Sequence, residues 1–140
     1  MKKISETENA LTEDLMALPD VFERMSYLAA TARLGRANES DRMEVFQVHG
    51  CMAELHIIPA LEAEHWTFSA FTEAPMVAAI AELFCRLHSG HTTSEILAHN
   101  PSILERTGIF RQLSPHRQAG AANIIAKIKG YVSEHADAGG

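Results

Sequence analysis

The chain has 140 residues, of which 46% are hydrophobic and 21% are charged. That length suits one compact domain with a core of its own and is short for two domains. The formal net charge is -6, and no cluster of Lys and Arg interrupts the acidic balance, which argues against nucleic acid or an anionic membrane surface as a partner. No apolar run approaches the roughly 20 residues that a transmembrane helix needs.

Two cysteines, Cys51 and Cys85, lie far apart and form no CxxC pair, which favours a reducing compartment over a disulfide scaffold. We therefore expect a cytoplasmic protein.

Residues 1–11 are polar and unpatterned, so we expect a flexible leader, a single domain over residues 12–134 and a flexible tail over residues 135–140. The tail ends in Ala-Gly-Gly, as ubiquitin-like sulfur carriers do, but those carriers end a β-grasp domain and this tail follows a predicted helix.

The first predicted helix has Pro19 at its start and Gly35 as its C-terminal cap. Three strand-like runs follow, around residues 45–48, 55–61 and 65–71. The second and third runs alternate apolar and polar residues, which is typical of half-buried strands. Short turns join the three runs, so the sequence predicts a three-stranded antiparallel sheet.

Four predicted helices follow the strands, and each has its own start signal. They begin at Thr72–Pro75, at Thr92 with Glu95 as its capping-box partner, at Asn100–Pro101, and at Ser114–Pro115. Gly90 and Gly108 are placed to end the first and third of them. Helices that come after a run of strands predict an α+β fold, with the helices packed on a small three-stranded sheet.

Cys51 follows Gly50 at the expected tip of a turn between two strand-like runs. A thiol is a nucleophile only as thiolate, and its free pKa of about 8.5 leaves little of it ionised at neutral pH without help. Unpaired N–H groups of the turn, together with His49 or His56, are able to favour the anion. The alternative is that Cys51 is a small buried hydrophobe under a neighbouring helix, since free cysteine is among the most buried residue types.

Cys85 falls on a predicted helix beside Ala78 and Ala81, a face of small residues that favours a core role. With His88 and His91 it also forms C-x-x-H-x-x-H, which could bind one metal ion. A structural zinc site needs four ligands, and the sequence offers no second cluster nearby. The competing interpretation is a buried thiol with solvated histidines near a helix C-terminus.

In the order and separation of its motifs, the chain resembles the SufE family of sulfur-acceptor proteins over about residues 14–132. The resemblance rests on QVHGCMAEL, which carries the Gly-Cys pair, and on QLSPHRQAG, which is similar to the family's signature at the start of its last helix. HTTSEILAHNPSILERTGI matches the helix pair between them. The implied fold is a SufE/NifU-like α+β domain.

The resemblance implies that Cys51 takes persulfide sulfur from a cysteine desulfurase that depends on pyridoxal phosphate (PLP). It also implies that the protein stimulates that enzyme. It then passes the sulfur to a downstream acceptor or scaffold, for iron–sulfur cluster assembly or a specialised pathway. The protein itself would hold no cofactor, because the PLP belongs to the partner. The residues expected to shape and position the cysteine loop are His49, Gly50, Met52, His56, Glu73 and Arg117.

Gly50, Cys51, Arg117 and Gly120 match the family's motifs, and Glu73 stands where the family usually has Asp. The chain departs from the pattern elsewhere. It has His56 in place of a Trp, and Ala78–Ala79 in place of a basic residue and a Gly. It is therefore identified as a divergent member, whose desulfurase and acceptor the sequence leaves open.

Two other functions compete with the sulfur carrier. A Cys–His hydrolase needs a base and an oxyanion hole, and no matching Asn or Asp motif accompanies Cys51. A non-catalytic interaction module would use the same turn only as a binding surface, and it would tolerate the loss of the thiol.

Overall fold

The protein is described by a computed structural model that covers residues 2–32, 43–50 and 53–139, without the side chains of residues 138 and 139. The helices are α1 (Ile4–Met16), α2 (Val21–Thr31), α3 (Pro75–His88), α4 (Thr93–Ala98), α5 (Ile103–Arg106), α6 (Ile109–Gln112) and α7 (Pro115–Gly139). The strands are β1 (His56–Glu62) and β2 (His65–Phe71), and a short 3-10 helix spans Glu44–Phe46. None of the helices in these ranges has the length and apolar character that a membrane crossing requires.

β1 and β2 form an antiparallel hairpin whose register pairs Ile57 with Ala70. The two-residue turn at Ala63 and Glu64 has φ of 49° and 67°, values typical of the tight turns that match strand twist. In β2, Trp66 is buried while its neighbour Thr67 is exposed, which confirms the predicted alternation in that strand. The alternation predicted for β1 is wrong, because His56 and Ile57 are both buried and Leu61 is exposed. On the outer side of β2, Trp66 N–H donates to His91 O at 2.9 Å and Phe68 N–H donates to Ser89 Oγ at 3.0 Å.

The predicted three-stranded sheet is wrong, because the described residues form two strands. The first strand-like run folds into the 3-10 helix and then makes a single bridge, between Gln47 and His56. Extending that antiparallel bridge would place Glu44 opposite Pro59, which has no N–H to donate. The carbonyl oxygen of Val45 instead accepts a hydrogen bond from Lys127 Nζ at 2.8 Å.

α3 lies at the centre of the core, against β2, α2 and α7. Its residues Ala81, Leu83 and Leu87 are almost completely buried. The sequence predicted its start at Pro75, as well as the capping box of α4, where Thr92 Oγ1 accepts from Glu95 N–H. The start of α7 at Pro115 is likewise confirmed, whereas the short helix α6 was not predicted.

α2 begins at Val21, two residues later than the sequence suggested, because Asp20 is its N-cap. Asp20 Oδ1 accepts from Glu23 N–H at 2.9 Å, a standard N-cap contact. The helix ends at Thr31 with Ala32 as its cap, and the predicted cap Gly35 lies outside the described residues. The guanidinium of Arg24 fixes this region by donating to three carbonyl oxygens, those of Leu15, Leu18 and Thr107.

The expected flexible leader is wrong, because residues 4–11 belong to α1. Its buried face contains polar Glu8 as well as apolar Ile4 and Leu15. The polar residue interrupts the apolar periodicity by which a helix is predicted from sequence. Glu8 Oε2 accepts from the N–H groups of Ser102 and Ile103 at 2.8 and 3.2 Å, so it caps the start of α5. At the other terminus, α7 continues to Gly139 through the residues expected to form a tail.

Candidate functional site around the cysteine loop

The cysteine loop is defined by the described residues that flank it, since Cys51 and Met52 lie outside the described part of the chain. Val48 N–H donates to Leu55 O at 2.8 Å, next to the bridge between Gln47 and His56. This pairing holds the two flanks of the loop together at the start of β1. The predicted placement of Cys51 and Met52 at a turn tip stays a prediction.

Two features favour glycine at position 50. Its φ is +86°, a left-handed conformation that costs most other residues about 1–2 kcal/mol. An added Cβ would also lie 2.4 Å from Asn123 Nδ2 and 3.4 Å from Asn123 Cγ. The glycine therefore allows a close approach between the cysteine loop and α7, and its predicted role in shaping the loop has a structural basis.

Three polar residues of α7, spaced four apart, face the segment that carries the loop. Asn123 approaches Gly50, Lys127 Nζ donates to Val45 O, and Tyr131 OH donates to Ile57 O at 2.7 Å. Residues four apart lie on one helix face, so these side chains form a single line, which we call the α7 stripe. Burial, together with the nearby Glu134, raises the pKa of Tyr131 to about 12, which keeps its hydroxyl protonated as a donor.

The α7 stripe was missed by sequence reasoning. Its only sequence signal is a polar residue recurring every four positions beside the buried residues Ile124, Ile128 and Val132. Such a line is equally typical of a solvated helix face, and its partners lie more than 70 positions away in the chain.

An open cavity of about 130 Å³ lies beside the loop and joins three of the predicted elements. Ala53 comes from the cysteine loop, Ala74 from the start of α3, and exposed Arg117 from the first turn of α7. The other lining residues are Val77, Ile80, His116, Gly120, Ala121 and Ile124. Arg117 and Ala53 thus line the same cavity, and the predicted role of Arg117 in positioning the loop stays a prediction.

The remaining predicted positioning residues have different surroundings. His49 is exposed beside Gly50, whereas His56 is only 1% exposed, with its Nε2 3.8 Å from Glu54 Oε1. Glu73 is exposed and is not the N-cap of α3, because Ala74 occupies that position. Their roles in positioning the loop stay predictions.

Cys85 is 2% exposed, which confirms its predicted place in the core. Burial, with a smaller contribution from Glu82, raises the pKa of its thiol to about 12, so it is protonated and unreactive at neutral pH. The expectation that His88 and His91 are solvated is wrong, since both are buried. No group of three or more His, Cys, Asp or Glu in the described ranges is arranged to hold a metal ion.

The two histidines make different contacts: His91 bonds to α1, and His88 bonds within α3. His91 Nε2 lies 2.9 Å from Thr7 Oγ1, which links it to α1. His88 Nδ1 donates to Phe84 O at 2.7 Å, while its Nε2 is buried without a hydrogen-bond partner in the described part of the chain. Burial lowers the pKa of His88 to about 4; the bond to Phe84 and the charge of Glu8 oppose this shift, and His99 and Lys129 reinforce it.

The free energy of unfolding should therefore depend on pH through His88. The unfolded chain binds a proton near the ordinary value of 6.5 and the folded one near 4, so the contribution is complete above pH 6.5. It should be lost as the pH falls towards 4, by about 3 kcal/mol in all. Urea unfolding at pH 7 and pH 4.5 measures this change.

The His88→Leu variant should lose that part of the pH dependence, and the exposed control His116→Leu should keep it. A pH profile of His88→Leu that parallels the wild-type profile would contradict the assignment.

Comparison with known proteins shows that the chain matches a protein family. Residues 9–132 match the family model SufE, described as an Fe-S metabolism associated domain. The match includes the cysteine loop, the hairpin and most of α7.

Individual relatives agree with this match. The chain is 28% identical over 91 residues to an uncharacterized SufE-like protein of Synechocystis; the match covers 65% of this chain and 57% of that protein. The solution structure of a hypothetical protein from Thermus thermophilus is similar with a TM-score of 0.71 and 20% identity. That similarity covers 91% of this chain and 94% of the other, and it shows a shared fold.

Proposed function

The chain belongs to the SufE family, and from that premise we propose that it accepts sulfur on Cys51 from a PLP-dependent cysteine desulfurase and passes it to a downstream acceptor. The observation that carries the proposal is the Gly50 turn. The chain accepts a left-handed residue and a close contact with α7 directly before Cys51. Gly50 also belongs to the Gly-Cys pair on which the resemblance to the SufE family rests.

The proposed step is a thiol–persulfide exchange. The Cys51 thiolate attacks the outer sulfur of the donor's cysteine persulfide, forming a new S–S bond as the donor's S–S bond breaks. The donor cysteine leaves as a thiolate, so electrons balance and no added oxidant is needed. Transfer to the acceptor repeats the same exchange with Cys51 as the donor.

The surroundings of the loop support this chemistry. The adjacent cavity is lined mainly by apolar side chains, and Arg117 brings a positive charge to its rim. A cation close to a thiol lowers its pKa, and the thiolate is the attacking form. Cys85, by contrast, is buried and protonated, so it cannot take the sulfur in the folded protein. We propose that this transfer takes place in the cytoplasm, where thiols stay reduced.

The test is to incubate the protein with candidate desulfurases and free cysteine, and to follow intact mass and then peptide masses. We expect a gain of one sulfur atom that maps to the peptide containing Cys51. The Cys85→Ser variant should show the same gain, and added reductant should remove it. Sulfur found on Cys85, or no gain with a desulfurase that binds the protein, would contradict the proposal.

A further inference from the structure

We infer that Asn123 is the positioning residue of the sulfur-accepting turn. Its side-chain amide occupies the space at Gly50 where a side chain would otherwise lie, with Nδ2 2.4 Å from the point that a Cβ on this glycine would take. The inference rests on the proposed function, because its consequence is the orientation of the residue that follows Gly50, which is Cys51.

The first support is that the helix beneath Asn123 is firmly anchored. Its neighbour Ile124 is 2% exposed, and Ile128 one turn later is fully buried. Gln118 Nε2 also donates to Phe110 O at 3.0 Å near the start of α7. Asn123 therefore projects towards the turn from a helix whose neighbouring residues are anchored in the core.

The second support is the position of Asn123 within the α7 stripe. Lys127 binds the chain ahead of the loop at Val45 O, and Tyr131 binds it beyond the loop at Ile57 O. Asn123 meets Gly50 between those two points of the chain. One helix face thus contacts both flanks of the loop and the residue before the thiol.

The third support is the chemistry of the side chain. Asn is short enough to fit against Gly50, and its amide is neutral and carries two N–H donors. Of its side-chain atoms, Nδ2 lies nearest the turn. An Asp here would have the same size but would bring a negative charge close to the residue that must ionise, which raises the pKa of a neighbouring thiol.

The test follows the alkylation rate of Cys51 against pH by peptide mass spectrometry, in a Cys85→Ser background. Asn123→Asp should move the midpoint of the profile upward by about one pH unit, which slows alkylation roughly tenfold near neutral pH. Asn123→Ala should lower sulfur acceptance about tenfold while the urea midpoint of unfolding stays close to wild type, because the side chain is only half-buried. The matched control is Ala122→Ser, one position earlier on the exposed face of the helix.

A double-mutant cycle with Gly50→Ala tests the contact itself. The added methyl group collides with the Asn123 amide, but it has room once Asn123 is replaced by alanine. Gly50→Ala should therefore slow the alkylation of Cys51 less in the Asn123→Ala background than in the wild-type background. Purely additive effects would overturn the inference. So would an unshifted pH midpoint in Asn123→Asp, or a Cys51 that stays unreactive in the native protein at every pH.

Alkylation needs no desulfurase, which separates the two claims. If the cycle shows coupling but no desulfurase transfers sulfur, the proposed function fails and the positioning role stands. If sulfur is transferred but the cycle is additive, the positioning role alone fails.

Discussion

Replacing Cys51 by serine should abolish sulfur acceptance and return the desulfurase to the turnover rate it has without this protein. A serine hydroxyl is almost entirely protonated at neutral pH, and an alkoxide does not take part in the S–S exchange that moves the sulfur. The expected loss is complete because the cavity and its surroundings contain no second reactive thiol in the described residues, since Cys85 is enclosed in the core.

The measurement is alanine formed from cysteine by the desulfurase, with and without the protein, alongside a binding assay. Cys85→Ser should stimulate the enzyme as the wild type does. Retained binding with lost stimulation in Cys51→Ser identifies a carrier. Full stimulation by Cys51→Ser would instead identify an interaction module, in which the loop acts only as a binding surface.

Replacing Glu8 by alanine should lower the free energy of unfolding by about 4 kcal/mol, a large part of the 5–15 kcal/mol typical of a small domain. Glu8 is 3% exposed, and its two carboxylate oxygens accept from His99 Nε2 and from two N–H groups at the start of α5. Alanine would leave all three donors without their partner; the N–H of Ile103 is buried, and the other two donors are partly buried.

Urea unfolding at pH 7 measures this loss, with Glu13→Ala as the matched control on the exposed face of the same helix. Glu8→Gln should fall between the two, because an amide keeps one acceptor oxygen. A loss in Glu8→Ala no larger than in Glu13→Ala would contradict the capping role of Glu8.

The parts of the fold that the sequence predicted are those with a local physical cause. Thr92 and Glu95 form a capping box from residues three apart, and Pro115 starts α7 for reasons confined to one turn. α1 was not predicted, because Glu8 is a polar residue on its buried face. Its partners at Ser102 and Ile103 lie more than 90 positions away, so nothing in the neighbouring sequence signals the burial.

The candidate site likewise contains residues that the local sequence predicted and residues that depend on distant parts of the chain. Gly50 was predicted from its place before Cys51, and Arg117, predicted from the family signature, lines the cavity that Ala53 of the loop also lines. Asn123 was not predicted, since the identity of a helix residue opposite a glycine depends on how α7 packs across the chain. The extra strand was predicted wrongly because β propensity around Val45 could not reveal that Lys127 binds its carbonyl oxygen.

The hydrogen bonds along the outer margins of the hairpin also protect it from strand addition. An exposed edge strand is a template for aggregation, since its unpaired amides can recruit another polypeptide. Here the edge of β2 is occupied by Ser89 and His91, while on β1 Tyr131 binds the carbonyl of Ile57 and Pro59 has no amide proton. Both edges of the described hairpin are therefore partly occupied by groups of the same chain, which leaves fewer backbone groups open to an added strand.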